Sequence, residues 1–501
     1  MQRRSFLRST MTVAMASALS HRDGLAAFRQ APAAPPDVAA LRGDGGQVAL
    51  KGSEIKDLRD AVRGRVLLAG SDGYETARQV LNPSIDKRPA LIVQATGVED
   101  VRQAVMFARA HALLTAVKCG GHSFSGASTC NGGLMIDLSP MRAVRVDATR
   151  RRAWASGGTL LGLIDHECAP YELATTMGTV SHTGVGGLTT GGGYGRLARR
   201  FGLALDNVRA VEVVAADGRL YRADATDHQD LYWGVRGGGG NFGVVTGFEF
   251  ELHPMQRTVV AGSLTFPGAR VRDMFALLAD YAPQAPDMLQ IDWAYMQPPG
   301  KAPRLCEIDV CFSGPEADAE RALAPLRKLG TPLGDSIKQR SYLAVQKAGD
   351  TTDPRAQGSY LKSGFIKGFA PALVDAIVGG FEGAPERVTV VFGQQAGGAI
   401  SRVPVDATAF PNRMPDYNLL ANVGWPMGTD GAPHMAWARS YWAALEPHTA
   451  GFYVNEAADG AAVNGNYGPN YPRLVQIKNR YDPTNLFRLN ANVRPTTAPS
   501  A

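Results

Sequence analysis

The chain has 501 residues, of which 45% are hydrophobic and 20% charged, a composition typical of globular rather than disordered or fibrous proteins. This length exceeds that of one ordinary hydrophobic core, and we therefore expect two domains. The formal net charge of +6 is too small to indicate a nucleic-acid partner, since basic residues of the amino-terminal segment supply part of it.

Residues 1–30 are predicted to form a cleavable export signal. Arg3 and Arg4 are adjacent, residues 9–19 are apolar and mostly small, and a small-residue region suited to cleavage follows. The paired arginines indicate the twin-arginine machinery, which carries folded bacterial proteins to the periplasm or beyond. A disordered basic tail is the alternative. The apolar stretch is too short to span a bilayer, and no other segment is long and apolar enough, so membrane insertion is not expected.

The pattern of residues 31–255 predicts a lead-in followed by a domain of alternating strands and helices. Residues 31–55, rich in Ala, Pro and Gly, are expected to be mobile. Hydrophobic periodicity then predicts a first domain over residues 56–255. Its predicted elements are strands at 90–94, 114–118, 133–138, 143–146 and 248–252, helices at 98–112, 160–168 and 230–235, and a loop of small residues at 178–195.

The hydrophobic pattern of the sequence changes after Pro254. Residues 256–450 contain longer alternating segments, such as 289–295 and 387–392, separated by amphipathic helices such as 316–329. This pattern predicts a second domain with an antiparallel sheet backed by helices, and an α+β fold overall. Residues 451–501, with a helix at 473–481, are expected to return to the first domain.

Two common site types are excluded by context. Gly238, Gly240 and Gly243 match the dinucleotide-binding pattern, but a helix precedes them and a strand follows, the reverse of what that motif requires. No set of His, Cys and carboxylate residues has the spacing of metal ligands, so no metal is predicted. Five cysteines are too few for a disulfide scaffold, and Cys306 and Cys311 should point to opposite faces of one strand.

Three glycine clusters predict a ligand site instead. They lie at 118–126, 178–195 and 237–243, each beside strand or helix elements. Successive backbone amides in such loops form concave anion sites suited to a pyrophosphate, and missing side chains allow a flat ring to approach the backbone. One cluster alone would indicate a tight turn, but three together favour a bound nucleotide.

The ordered set of motifs resembles that of the vanillyl-alcohol-oxidase and p-cresol-methylhydroxylase superfamily, and within it the berberine-bridge-enzyme-like FAD-linked oxidases. The resemblance implies a two-lobed fold with a PCMH-type FAD-binding domain. The matching strings include Gly120-Gly121-His122-Ser123, Gly184-Val185-Gly186-Gly187-Leu188, Gly191-Gly192-Gly193-Tyr194-Gly195, Asn241-Phe242-Gly243-Val244 and Asn485-Leu486-Phe487-Arg488.

The resemblance implies that His122 bonds covalently to the 8α-methyl group of FAD. Relatives with a second, cysteinyl bond have a cysteine where this chain has Val180, so a single bond is expected. His182 is interpreted as a loop residue that caps backbone. The other implied cofactor-binding residues are Lys118, Cys119, Gly120, Gly121, Ser123, Phe124, Ser125, Gly178, Thr183, Gly184, Gly186, Gly187, Gly191, Gly192, Gly195, Val244, Tyr467 and Asn490.

The same resemblance implies the reaction. A hydride leaves a CH–OH or CH–NH group of a small substrate, which could be a sugar, an alcohol, an alkaloid or another secondary metabolite, and O2 reoxidises the flavin to give H2O2. The general base is expected to be Tyr453, for which a packed strand tyrosine is the alternative, and Gln394, Tyr360 and Asn418 are expected in the pocket. The small Thr183 favours oxygen access. A dehydrogenase with another acceptor and a flavin-carrying binding protein without turnover remain alternatives.

Overall fold

The chain forms two lobes, which divide near residue 255, where the sequence pattern changes. The structure, a computed structural model, describes residues 34–298, 302–350, 355–382, 388–456 and 462–496. The predicted export signal at 1–30 therefore lies outside the described residues. The predicted α+β architecture, with an antiparallel sheet backed by helices, is confirmed.

The first lobe contains short strands and helices. Its strands are β1 (Val38–Leu41), β2 (Gln47–Leu50), β3 (Arg65–Leu68), β4 (Leu91–Gln94), β5 (Thr115–Lys118), β6 (Leu134–Asp137), β7 (Val144–Asp147), β8 (Arg152–Ser156), β9 (Leu173–Ala174), β10 (Val208–Val214), β11 (Leu220–Asp224), β12 (Val244–Glu251) and β13 (His253–Pro254). Its helices are α1 (Gly52–Ala61), α2 (Tyr74–Ala77), α3 (Val98–Ala110), α4 (Leu161–Cys168), α5 (Val185–Gly191), α6 (Ala198–Phe201) and α7 (Gln229–Val235).

Two larger sheets form most of this lobe, beside the two-stranded pairs β1-β2 and β13-β9. One is mixed, in the order β3-β4-β6-β5, and the other is antiparallel, in the order β11-β10-β12-β8-β7. The apolar face of α3, with Val101 and Val105 fully buried, packs in one core with β4 and β6. Strands β4 and β5 both pair in parallel with β6, as a strand–helix–strand unit requires. Consequently the glycine turn after β5 begins at one edge of this sheet.

The lead-in predicted to be mobile at 31–55 is ordered over its described part. Strands β1 and β2 form an antiparallel hairpin, and α1 begins at Gly52, inside the predicted segment. The prediction was wrong because Leu50 and Ala40 are buried in the core that α3 shares with the mixed sheet. A few alternating apolar residues therefore order this segment. They were too few to stand out as a strand pattern in a sequence rich in Pro.

The second lobe contains one large antiparallel sheet. Its strands are β14 (Thr258–Pro267), β15 (Leu289–Gln297), β16 (Leu305–Phe312), β17 (Gly334–Asp335), β18 (Lys338–Ser341), β19 (Gln357–Ile366), β20 (Val388–Gln395) and β21 (Tyr417–Pro426). Its helices are α8 (Val271–Tyr281), α9 (Ala319–Arg327), α10 (Tyr342–Lys347), α11 (Pro371–Glu382), α12 (Ala399–Arg402) and α13 (Ala432–Leu445).

One face of this sheet is covered by helices. Its order is β17-β14-β16-β15-β20-β21-β19, with β18 also paired to β14, and helices α8, α9, α11 and α13 contribute Phe275, Leu323, Ile377 and Trp442 to the core beneath it. Because side chains alternate along each strand, the opposite face of β19, β20 and β21 is free to face the first lobe. The two cysteines of β16 confirm this alternation, since Cys306 and Cys311 lie in different cores.

The carboxyl-terminal segment returns to the first lobe through α14 (Val463–Tyr467) and α15 (Tyr471–Tyr481). Lys478 anchors it: the buried ammonium donates to the carbonyls of Asn241 and Phe487 and to the carboxylate of Asp482, at 2.7–2.8 Å. These bonds hold the last residues against the third glycine cluster. Within the described residues, no helix is long and apolar enough to cross a membrane.

Candidate active site

A cavity of about 780 Å³ lies between the lobes. All three glycine clusters line it from the first lobe, strands β19, β20 and β21 line it from the second, and the carboxyl-terminal segment closes it near Asn490. The cavity thus lies where the elements predicted to bind the cofactor and those predicted to bind the substrate meet. Among the residues described by the structure, no group of three or more His, Cys, Asp and Glu side chains is placed to hold a metal ion.

The first two glycine clusters touch directly. A Cβ atom at Gly120 would lie 2.4 Å from the amide nitrogen of Gly184, and a Cβ at Gly184 would lie 2.3 Å from that of Gly120. Neither position therefore accepts a side chain. Gly121 has φ of +70°, in the left-handed region where glycine is favoured, and it turns the chain so that His122 follows on the cavity wall.

His122 is held by the second cluster on both sides of its ring. Its Nε2 lies 2.6 Å from Nδ1 of His182, and its Nδ1 lies 3.2 Å from the hydroxyl of Thr183. Burial and the nearby His182 lower the pKa of His122 to about 4. The imidazole is therefore neutral at physiological pH, the form in which a ring nitrogen keeps a lone pair for bonding.

The ring of His182, interpreted from the sequence as a backbone cap, pairs with His122, a contact that the sequence did not predict. The loop that carries His182 is fixed to the second lobe through the adjacent Ser181. Asp350 accepts hydrogen bonds from the amide of Ser181 at 2.7 Å and from its hydroxyl at 2.6 Å. A contact between lobes thus positions the histidine pair, and sequence spacing gives no sign of it.

Most of the predicted cofactor-binding residues line the cavity. These are Cys119, Gly120, Gly121, His122, Ser123, Phe124, Ser125, Gly178, Thr183, Gly184, Gly186, Gly187, Val244, Tyr467 and Asn490. Val180, the position of the second covalent bond in some relatives, lines it too. Burial raises the pKa of Cys119 to about 11, so this thiol is unreactive at neutral pH.

Four predicted cofactor residues lie elsewhere. The ammonium of Lys118 turns away to the carbonyl of Ala77 and the carboxylate of Asp137. Gly191, Gly192 and Gly195 are packing positions: added Cβ atoms would meet Asn455, Tyr453 and the carbonyl of Met177, respectively. The segment predicted as a loop at 178–195 also contains α5. This helix was not predicted because its sequence is rich in glycine, which has low helical propensity.

The sheet of the second lobe forms the other wall. Leu361, Phe392, Gln394 and Leu420 line the cavity from β19, β20 and β21. Of the three predicted pocket residues, only Gln394 faces the cavity directly. Tyr360 is contradicted, because it is the neighbour of Leu361 on a strand and points to the opposite face, against Trp425.

Asn418 lies on the same face of the sheet as Gln394 and Leu420, where it holds part of the wall in place. Its side-chain amide donates to Oε1 of Gln394 at 3.0 Å and to Oε2 of Glu456 at 3.2 Å. Asn418 is fully buried and is absent from the lining. It therefore orients two residues that border the cavity without bordering it itself.

Tyr453 lines the cavity at the end of the second glycine cluster. Its hydroxyl oxygen accepts hydrogen bonds from the amide of Gly193 at 2.6 Å and from the side chain of Asn455 at 2.8 Å. Its ring lies edge-on to Tyr194, at 5.4 Å between centroids. Burial, and then the charge of Glu456, raise the pKa of the Tyr453 phenol above its ordinary value.

Glu456 is a titratable cavity residue that the sequence patterns did not predict. It follows Asn455 directly, and burial raises the pKa of its carboxyl group to about 8. A glutamate in a polar segment ordinarily indicates exposed surface. The one available sign was its position immediately after the Tyr453-Val454-Asn455 string, three residues beyond the predicted base.

The residues present fit FAD. The cavity runs from His122 to the third glycine cluster and the carboxyl-terminal segment. It is lined by Ser128, Tyr194 and Asn492, each with a buried side-chain polar atom that has no hydrogen-bond partner in the protein. Such atoms ordinarily find a partner, and a polar ligand supplies one. The glycine amides and these groups are suited to a pyrophosphate and a ring with several heteroatoms.

Comparison with known proteins agrees with this geometry. The family model of an FAD binding domain matches residues 89–224, and the model described as berberine and berberine like matches residues 452–494. The FAD-linked oxidoreductase YvdP of Bacillus subtilis is 31% identical over 442 residues, which cover 86% of this chain and 98% of that protein. The chain belongs to the berberine-bridge-enzyme-like FAD-linked oxidoreductases.

Other members of this family act on different substrates. A monolignol oxidoreductase of Arabidopsis thaliana is 28% identical over 465 residues, covering 83% of this chain and 86% of that one. The crystal structure of 6-hydroxy-D-nicotine oxidase from Arthrobacter nicotinovorans superposes with a TM-score of 0.79 at 28% identity, covering 86% of this chain and 98% of that one. This berberine-bridge-enzyme-like chain is therefore an FAD-linked oxidoreductase.

Proposed function

We propose that this oxidoreductase holds FAD covalently through His122 and oxidises a CH–OH or CH–NH group of a small organic substrate, with O2 as the final acceptor and H2O2 as product. The observation that carries the proposal is a neutral imidazole in the wall of a glycine-lined cavity between the lobes. Bound FAD supplies an acceptor for a hydride, and the remaining functions belong to side chains of the protein.

The histidine pair supports the covalent bond. Nε2 of His122 lies 2.6 Å from Nδ1 of His182, and Nδ1 of His122 has the hydroxyl of Thr183 beside it at 3.2 Å. In the tautomer that we propose, the proton lies on Nε2 of His122 and is donated to His182, and Nδ1 of His122 keeps its lone pair. This arrangement would keep the ring in one tautomer and one orientation while the bond forms. Val180 has no sulfur and cannot form a second bond, so one attachment is proposed.

The sheet wall supports a small organic substrate. Gln394 offers an amide, and Leu361, Phe392 and Leu420 offer apolar surface on the side of the cavity opposite the glycine clusters. A substrate held there would lie between the sheet and the ring of the cofactor. Tyr453, predicted from the sequence as the base, borders the same space.

Oxygen as acceptor is proposed on the size of Thr183. This residue lines the cavity beside His122 and leaves space that a larger side chain would fill. The dehydrogenase alternative predicts flavin that is reduced by substrate and stays reduced in air until another acceptor is added. The binding-protein alternative predicts that no compound reduces the flavin at all.

Export is also proposed. The paired arginines and apolar stretch of residues 1–30 favour the twin-arginine route, which accepts proteins that have folded around a cofactor. Replacing Arg3 and Arg4 with lysine should retain the protein inside the producing bacterium, as measured by fractionation. Equal amounts of the variant and the unaltered protein in the periplasm would contradict this route.

The decisive experiment begins with the colour of denatured protein. Acid-precipitated protein should stay yellow, and peptide mass mapping should place one flavin on the peptide with His122. The His122→Ala variant should release all its flavin, while His166→Ala, on α4 outside the cavity, should retain it. An anaerobic screen of alcohols and amines, scored by flavin bleaching and then by H2O2 on adding air, separates the three functions. Colourless precipitate would refute the covalent bond.

A further inference from the structure

Glu456 is chemically distinct among the residues that surround the cavity. Of the described residues that line it, Glu456 is the only one with a carboxyl group. It lies on the substrate side, next to Tyr453, and it is half-buried because part of its side chain borders the cavity. A single carboxyl group, next to Tyr453 and on the side of the apolar sheet wall, requires a chemical explanation.

We propose that Glu456 is the base that accepts the hydroxyl proton of an alcohol substrate, and that Tyr453 positions that substrate. The inference rests on the proposed function. The substrate O–H bond breaks, and its proton moves to a carboxylate oxygen of Glu456. The C–H bond breaks with its electron pair, which leaves as hydride to the bound cofactor. The carbinol becomes a carbonyl compound, and the carboxyl group later returns the proton to water.

The need for a base indicates an alcohol rather than an amine. An alcohol that loses only a hydride leaves a protonated carbonyl, which is strongly acidic and therefore requires a proton acceptor in the transition state. A neutral amine that loses a hydride leaves a stable iminium cation and needs no base. A lone carboxylate beside the substrate wall is therefore explained by alcohol oxidation.

The geometry fixes Glu456 for this task. Its Oε2 accepts a hydrogen bond from Asn418 at 3.2 Å, and the same amide group donates to Gln394 at 3.0 Å. Both neighbours are neutral, so neither supplies a permanent counter-charge to the carboxylate. Asn418 thus orients the carboxylate as it orients the amide that borders the substrate wall.

Tyr453 is a poorer base in the same place. Its oxygen already accepts two hydrogen bonds, from Gly193 and Asn455. Burial and the charge of Glu456 raise the pKa of its phenol, so that ionising both groups together is unfavourable. The raised pKa of Glu456, about 8, matches the pH at which a general base works best near neutrality.

Among the residues that the structure describes, few groups face Glu456. The titratable ones are the phenols of Tyr453 and Tyr194, whose pKa values are raised by burial first and then by neighbouring charges that include Glu456. Strands β20 and β21 contribute the neutral Gln394 and Asn418, and β19 contributes the hydroxyl of Ser363. A single ionisation of the glutamate should therefore dominate the pH dependence of the reaction.

The test compares Glu456→Gln with Glu456→Asp and with Glu446→Gln, an exposed glutamate in the same region. Holoenzyme is mixed without oxygen with cinnamyl alcohol, or with whichever alcohol of the screen bleaches the flavin fastest. The rate of flavin reduction in the unaltered enzyme should rise with pH to a plateau above about 8. Glu456→Gln should lose about 10²- to 10⁴-fold in this rate and lose the pH dependence.

The two other variants provide the controls. Glu456→Asp should recover part of the rate together with the pH dependence, because it restores a carboxylate, and Glu446→Gln should match the unaltered enzyme. All three should retain covalent flavin with an unchanged visible spectrum, which shows that they fold. Without any substrate, infrared difference spectra should show a protonated carboxyl band that titrates near pH 8 and disappears in Glu456→Gln.

Four results would overturn the inference. If Tyr453 is the base, removing the nearby charge in Glu456→Gln would lower the phenol pKa, move the pH dependence to lower pH and preserve the rate. If the infrared band titrates near the ordinary glutamate value, Glu456 is not held as described. If only amines reduce the flavin, the alcohol assignment fails while the proposed function stands. If no compound reduces it, both fail.

Discussion

Arg413 offers the sharpest test of how the lobes are held together. Its guanidinium is fully buried and donates to both carboxylate oxygens of Asp206, at 2.8 and 2.9 Å, and to the hydroxyl of Thr408 at 2.7 Å. Asp206 follows α6 in the first lobe, and Arg413 precedes β21 in the second. Replacing Arg413 with methionine would leave a buried carboxylate without its partner, which costs about 3–5 kcal/mol.

The size of this effect converts to a measurable shift. For a lobe of this size, 1 kcal/mol corresponds to about 2–4 °C in Tm, so Arg413→Met should lower the Tm by about 6–20 °C. Arg413→Lys keeps the charge but loses the two-point contact, and it should cost about 1.5–3 kcal/mol, one charge-assisted hydrogen bond. Differential scanning calorimetry of the holoenzyme, at one scan rate, measures both.

The control is a salt bridge of the same type on the surface. Arg402 lies 2.6 Å from Asp287, with 62% and 38% of the two side chains exposed. Arg402→Met should cost at most about 1 kcal/mol, since exposed pairs are screened and pay side-chain entropy. An Arg413→Met variant that melts within about 3 °C of the Arg402→Met variant would refute the reasoning that burial makes the first pair indispensable.

Three further predictions follow from separate parts of the structure. Burial raises the pKa of Asp165 to about 7, so the folded state holds a proton that the unfolded state releases near pH 4. The free energy of unfolding should therefore fall as pH rises from 4 to 7. Asp165→Asn should reduce that pH dependence in urea titrations, and an unchanged pH dependence would assign it to other groups. Val180→Cys should add a second flavin attachment, found by mapping flavin to peptides with His122 and with position 180, and a free thiol there would show that the site is misaligned. Lys478→Met should destabilise the protein by about 3–5 kcal/mol. Combined with His122→Ala, it should also weaken the retention of flavin on gel filtration. Undiminished retention would mean that the carboxyl-terminal segment does not close the cofactor site.

Local sequence patterns predicted most of the fold because each element carries its own periodicity. Helix α3 begins at Val98 as predicted, and β4 and β5 lie within one residue of their predicted starts. The failures occurred where tertiary contacts decide. The hairpin of β1 and β2 is ordered by burial of a few side chains, and α5 forms from a glycine-rich sequence of low helical propensity because the packed loops around it supply the stabilisation.

The cofactor half of the site was predicted better than the substrate half, for a physical reason. Glycines at close approaches, such as Gly120 against Gly184, are required by backbone geometry and are visible as a motif in the sequence. The substrate wall depends on which residue of each strand faces inward. An error of one residue exchanges the faces, and Tyr360 was therefore predicted for a wall that Leu361 forms.

The same difference explains how one family serves several substrates. Glycines such as Gly120 and Gly184 cannot change without displacing backbone. The side chains of the sheet wall can change size or polarity while β19, β20 and β21 keep their register; these are Leu361, Phe392 and Leu420. On the proposed function, we therefore expect packing to conserve the cofactor site and a few side chains of the sheet to set specificity. In this chain three of those side chains are apolar, and Glu456 is the single carboxylate among the described lining residues. From the proposed function we therefore expect an alcohol with an apolar body to be oxidised faster than an oligosaccharide, whose many hydroxyl groups would lose their hydrogen bonds to water without replacement.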